Sequence, residues 1–118
     1  AGFPSPATDY IEEDIDLNVH LIKNVPATFV IRVQGRSMTD VGINDGDILV
    51  VDKSLNPRNF STVIANVHDE LVVKTFVQER DKKFLTSGSK KFEDRILINE
   101  EEDIFIWGVV TYVIHSVY

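Results

Sequence analysis

Residues 63–77 read Val63-Ile64-Ala65-Asn66-Val67-His68-Asp69-Glu70-Leu71-Val72-Val73-Lys74-Thr75-Phe76-Val77. Two apolar runs rich in β-branched residues, 63–67 and 71–77, flank the polar segment His68-Asp69-Glu70. Branching at Cβ suits a pleated backbone, and polar residues between two such runs mark a hairpin. The stretch therefore predicts two antiparallel strands joined by a turn.

The same texture extends in both directions. Upstream, Thr28-Phe29-Val30-Ile31-Arg32-Val33 reads as a strand, Asn44-Asp45-Gly46-Asp47 as a turn, and Ile48-Leu49-Val50-Val51 as the strand after it. Downstream, Lys83-Phe84-Leu85-Thr86 and Ile96-Leu97-Ile98 are shorter strand candidates. Residues 104–114 read as one long strand, with Gly108 marking a bulge or bend. The single helix expected is 17–23, where Asp16 caps the first amides and Leu17 and Leu21 share a face. There is no repeat, low-complexity tract or second domain. The expectation is a mostly β fold over 15–118, preceded by an arm, 1–14. That arm opens with Ala1-Gly2-Phe3-Pro4-Ser5-Pro6-Ala7, whose prolines neither nucleate a helix nor pair well in a sheet, so it should be mobile.

Composition narrows the function. At 118 residues with 43% hydrophobic and 26% charged residues, the chain suits one soluble domain. A net charge of −7 argues against direct nucleic-acid binding, because phosphate contacts need clustered Lys and Arg. The basic pairs Lys82-Lys83 and Lys90-Lys91 read as solvated turns. Cysteine is absent, which removes disulfides, a thiol nucleophile and cysteine-based zinc sites, and fits a reducing cytoplasm. The most apolar stretch, 104–118, carries Thr111, His115 and Ser116 and falls short of the roughly 20 residues a spanning helix needs. No signal peptide is recognisable, and the missing initiator methionine points to a processed or deliberately shortened chain.

Few residues remain for chemistry. His20, His68 and His115 are far apart and match no metal motif, so they read as surface or turn residues. Glu100-Glu101-Glu102-Asp103 reads as a solvated acidic loop, and the turn at 44–47 lacks the spaced ligands of a calcium loop. Ser37, in Gln34-Gly35-Arg36-Ser37-Met38, lies on a tight turn after a strand, where neighbouring amides could face an oxyanion. A turn serine more often bonds its own backbone. Lys74 has Val72 and Phe76 on its own strand face, and an apolar face would draw its amine below the reference pKa of about 10.4. A strand lysine more often snorkels, with its head in water. The bland reading stands for either residue alone. Together they offer a hydroxyl and an amine base, with no His, Cys or Asp triad in competition.

The segments Gly35-Arg36-Ser37-Met38, Gly42-Ile43-Asn44-Asp45-Gly46-Asp47 and Val73-Lys74, with Lys74 following Ser37 by 37 residues, resemble the LexA/UmuD family of self-cleaving peptidases. Gly2-Phe3-Pro4-Ser5-Pro6-Ala7, Asp9-Tyr10-Ile11-Glu12 and Ile15-Asp16-Leu17-Asn18 resemble its UmuD branch just past the cleavage point, and the likeness runs on to Trp107-Gly108-Val109-Val110. The resemblance implies curled antiparallel sheets and a dyad of Ser37 as nucleophile and Lys74 as general base. The Met38 backbone amide would serve the oxyanion, and the cut would fall between Ala1 and Gly2, without a cofactor or metal. It further implies a cytoplasmic homodimer of the SOS response, cleaved when a RecA filament on single-stranded DNA stimulates it. The shortened form would then join UmuC, a Y-family polymerase subunit, in error-prone translesion synthesis. Two other readings are a LexA-like repressor's cleavage and dimerisation domain, and a non-catalytic interaction module. Two stretches depart from the family pattern: Phe60-Ser61 replaces Gly-Asp, and Ser87-Gly88-Ser89 replaces an Asn-containing turn.

Overall fold

Apolar runs become strands wherever their alternate residues find a core. In the computed structural model, which describes residues 15–88 and 91–118, those runs form seven strands. They are β1 Thr28–Arg32, β2 Ile48–Asp52, β3 Thr62–Val67, β4 Glu70–Glu79, β5 Lys82–Ser87, β6 Lys91–Leu97 and β7 Ile104–Ile114. The arm expected at 1–14 lies outside the described residues. All neighbouring strands are antiparallel, in the order β1-β2-β7-β3-β4-β5-β6 within one sheet.

The hairpin of 63–77 forms with a tighter turn than the sequence predicts. Glu70 pairs with Val67, so only His68 and Asp69 make the loop, at φ of 51° and 70°. A two-residue loop with both φ positive twists in the sense of the flanking strands, which is why it closes here. Helix α1 spans Leu17–Leu21, with the Asp16 carboxylate accepting from the Asn18 N–H at 3.0 Å. It stops two residues short of the expectation: Ile22 is extended, and none of the helical residues is buried, so no packing prolongs it.

Strand β7 lies between β2 and β3 and is bulged against both. Gly108 faces Ile64 while Ile106 faces Ala65, leaving Trp107 as the extra residue on one side. Tyr112 faces Val50 while Val110 faces Val51, leaving Thr111 extra on the other. Gly108 is required by a close approach, since a Cβ there would stand 2.6 Å from Val51 Cγ1. These bulges bend the strand and increase its twist.

Alternation along β3 divides the core. Ile64 packs with Val33, Met38, Ile43, Leu49 and Val51, while Val63 and Ala65 pack with Phe76, Leu85, Ile104 and Val109 on the other side. Each large side chain so buried contributes about 1.5–3 kcal/mol. The sheet is also curled. Three strands separate β1 from β4, roughly 19 Å in a flat sheet at ~4.8 Å per strand. Yet Ile31 and Arg32 of β1 line the same cleft as Val72 and Lys74 of β4. Strand β5 also leaves β4 half covered: it pairs with Thr75 through Glu79, and residues 70–73 have only β3 beside them.

Candidate active site

The cleft between β1 and β4 encloses about 510 Å³ and is lined by Val33, Gly35, Ser37, Met38, Glu70 and Lys74, among others. Ser37 and Lys74, paired on chemical grounds from the sequence, are brought to one cavity by the curl. Ser37 is exposed, on the loop that leaves β1. Gly35 begins this loop at φ 105°, a conformation that suits glycine, and its N–H donates to Asp45 Oδ1 at 2.8 Å. The Val33 N–H donates to the Asp47 carbonyl at 2.8 Å, and the Gly46 N–H to the Val33 carbonyl at 2.9 Å. The turn at 44–47 is thus a brace for the Ser37 loop.

Met38 anchors the loop from below. Its side chain is 3% exposed, and its carbonyl accepts from the N–H groups of Val41 and Ile43 at 3.1 and 3.2 Å. Its sulfur accepts from the Gly88 N–H at 3.1 Å, reaching the turn after β5. Among the described residues, neither the Ser37 hydroxyl nor the Met38 N–H has a hydrogen-bond partner. Both remain available to a peptide in the cleft.

Lys74 is half-buried on β4, and Val72 and Phe76 join the same apolar cluster on either side of it. Its Nζ lies 2.7 Å from Ser87 Oγ. Sequence reasoning missed Ser87, noting it only within a segment that departs from the family pattern. The signal was available in register: Glu79 pairs with Lys82 and Thr75 with Thr86, so one step further Lys74 meets Ser87. Reading it required knowing that residues 80 and 81 alone form the turn.

The brace has its own electrostatics. Asp47 is 3% exposed, and its carboxylate accepts from the Asn44 N–H at 2.8 Å and meets His115 Nδ1 at 2.7 Å. The Asn44 N–H first, and His115 second, hold its pKa below the usual carboxylate value. His115, expected as a surface or turn residue, is half-exposed but paired, because the end of β7 runs alongside β2 and reaches the turn that precedes it. His68 sits in the hairpin turn as the sequence indicated, and His20 lies 6.4 Å from the Tyr112 ring. Among the described residues, no helix is long and apolar enough to cross a membrane, and no group of His, Asp and Glu side chains is arranged to hold a metal ion. The bond between Ala1 and Gly2 lies outside the described residues.

A family model described as Peptidase S24-like matches residues 1–111. The chain is 45% identical over 115 residues to Protein ImpA of Salmonella typhimurium, spanning 98% of this chain and 77% of that protein. It is 40% identical over 112 residues to Protein MucA of Escherichia coli, spanning 95% and 76% respectively. It is 35% identical over 116 residues to the LexA repressor of Providencia rettgeri, spanning 98% of this chain and 56% of the repressor.

Proposed function

The chain belongs to the Peptidase S24-like family, the LexA/UmuD family of self-cleaving serine peptidases, and we propose that it cuts its own Ala1–Gly2 bond with Ser37 as nucleophile and Lys74 as general base. One observation carries this reading: Ser37 and Lys74 line a single cleft, and the serine hydroxyl is not engaged elsewhere.

The arm lays Ala1–Gly2 across the cleft, where small residues let the backbone approach Ser37. The unprotonated Lys74 amine takes the Ser37 hydroxyl proton as Oγ bonds to the Ala1 carbonyl carbon. The Met38 N–H donates to the oxyanion. Lys74 then passes its proton to the Gly2 nitrogen as the C–N bond breaks, and water releases the Ala1 ester from Ser37. Tethering supplies a high effective concentration even when the arm binds weakly.

The test is a form carrying an N-terminal extension ahead of Ala1, followed by gel mobility. Cutting should quicken as pH rises, because only the unprotonated amine accepts a proton. Ser37→Ala and Lys74→Ala should stay uncut at alkaline pH, and cutting in either variant removes the dyad.

Biologically, the reading that fits best is a UmuD-like one. The shortened chain forms a cytoplasmic homodimer that serves an error-prone polymerase of the UmuC type, after stimulation by RecA on single-stranded DNA. Its support is the resemblance of the arm to the UmuD branch and the higher identity to the UmuD-like ImpA than to the LexA repressor. Co-purification with such a polymerase subunit tests it; a chain that instead represses transcription would overturn it.

A further inference from the structure

We infer that Ser87 is a positioning residue for the base: its hydroxyl oxygen holds one hydrogen of the Lys74 amine, so that the lone pair is directed at Ser37. This rests on the Ser37–Lys74 reading above. The observation behind it is the 2.7 Å contact between Lys74 Nζ and Ser87 Oγ, made between two half-buried side chains on paired strands.

A lysine amine at the end of four methylenes is a poor base unless something fixes it, since its flexible stem samples many rotamers. Lys74 has that fixing partner directly across β4 and β5. The partner's turn is itself held: the Gly88 N–H donates to the sulfur of Met38, the residue after the nucleophile. Gly88 sits at φ 70°, and a Cβ there would overlap the Asp40 carboxylate. Ser87 is therefore fixed to the strand of the base through the sheet, and to the loop of the nucleophile through Gly88 and Met38.

Counting hydrogens sets the direction of the bond. A neutral amine has two N–H groups and one lone pair. Were Ser87 to donate into that lone pair, Lys74 would have nothing with which to take the Ser37 proton. When Ser87 accepts an N–H, the lone pair stays free for Ser37. After proton transfer the ammonium still donates to Ser87, so the same contact serves both protonation states.

The test compares Ser87→Ala and Ser87→Thr in the form extended ahead of Ala1, with Lys74→Ala as control, measuring self-cleavage from neutral to alkaline pH. Ser87→Ala should lower the plateau rate roughly 10–100-fold, as loss of positioning does, while keeping the rise of rate with pH, with the thermal midpoint unchanged. Ser87→Thr keeps the hydroxyl in a residue that strands accept, and should cut within a few-fold of the parent. A parent-like rate in Ser87→Ala, with Lys74→Ala inactive, would overturn the role of Ser87 alone. Equal damage in the alanine and threonine variants would assign the effect to packing and also overturn it. Cutting by Lys74→Ala would remove the dyad and the positioning role together.

Discussion

Ser37 and Lys74 could be singled out as a pair from the sequence, a turn hydroxyl and an amine on an apolar strand face, although either alone reads as an ordinary turn serine or snorkelling lysine. Ser87 could not, because nothing local distinguishes it; its meaning comes from the residue across the sheet. Phe60 shows the same limit from the other side. It stands where the family pattern has glycine, and the backbone is at φ 70°, the left-handed conformation that explains why glycine is usual there. Asp47 and His115 lie 68 residues apart in sequence and meet at 2.7 Å. The pKa of Asp47 is lowered in the fold relative to its ordinary value of 3.8. The stability it contributes is therefore fully present above that ordinary value and lost as pH falls through the depressed one. Asp47→Asn should flatten the acid side of the thermal-midpoint-versus-pH curve. His115→Ala should flatten it less, since the Asn44 N–H, the larger cause, remains. An unchanged acid limb in Asp47→Asn would refute this account of the brace.

At the scale of elements, periodicity served best where strands are long. β7 runs over the span the sequence predicts, Ile104–Ile114, and Gly108 sits beside a bulge as expected. The weaker strands grew: β5 covers Lys82–Ser87 and β6 covers Lys91–Leu97, because pairing with a formed neighbour recruits polar residues whose own pattern is faint. Ile98, the last residue of the predicted strand 96–98, falls just outside β6, although its N–H still donates to the Lys83 carbonyl at 3.0 Å. Register is invisible to periodicity, so the bulge at Gly108 is legible in the sequence while the close approach that requires glycine there is not. The side chain of Val51 leaves no room for a Cβ. Gly108→Ala should cost about 1–3 kcal/mol by overpacking, read as a lower urea midpoint with the slope unchanged. A variant as stable as the parent would mean that β2 and β7 separate there easily.

For the whole molecule, fold class followed from the many short apolar runs, while strand order did not, since antiparallel strands of similar composition are interchangeable until the sheet closes. Curling could be stated only through the family resemblance, and the structure supplies its physical content: β1 and β4 line one cleft across three intervening strands. Global charge makes its own prediction. With a net charge of −7, the chain should not retain single-stranded DNA at ~150 mM salt in an anisotropy titration. Saturable binding there would point to a basic surface that the composition conceals. The tie between Gly88 and Met38 spans 50 residues, whereas the β4–β5 hairpin that joins Lys74 to Ser87 is local. Contacts so distant along the chain form late, since closing the long loop is entropically costly. The proposed base is held by a local hairpin, whereas its alignment with the nucleophile depends on this long-range tie. On the proposed mechanism, a half-folded chain in which that tie is not yet made would hold the base without its nucleophile in line.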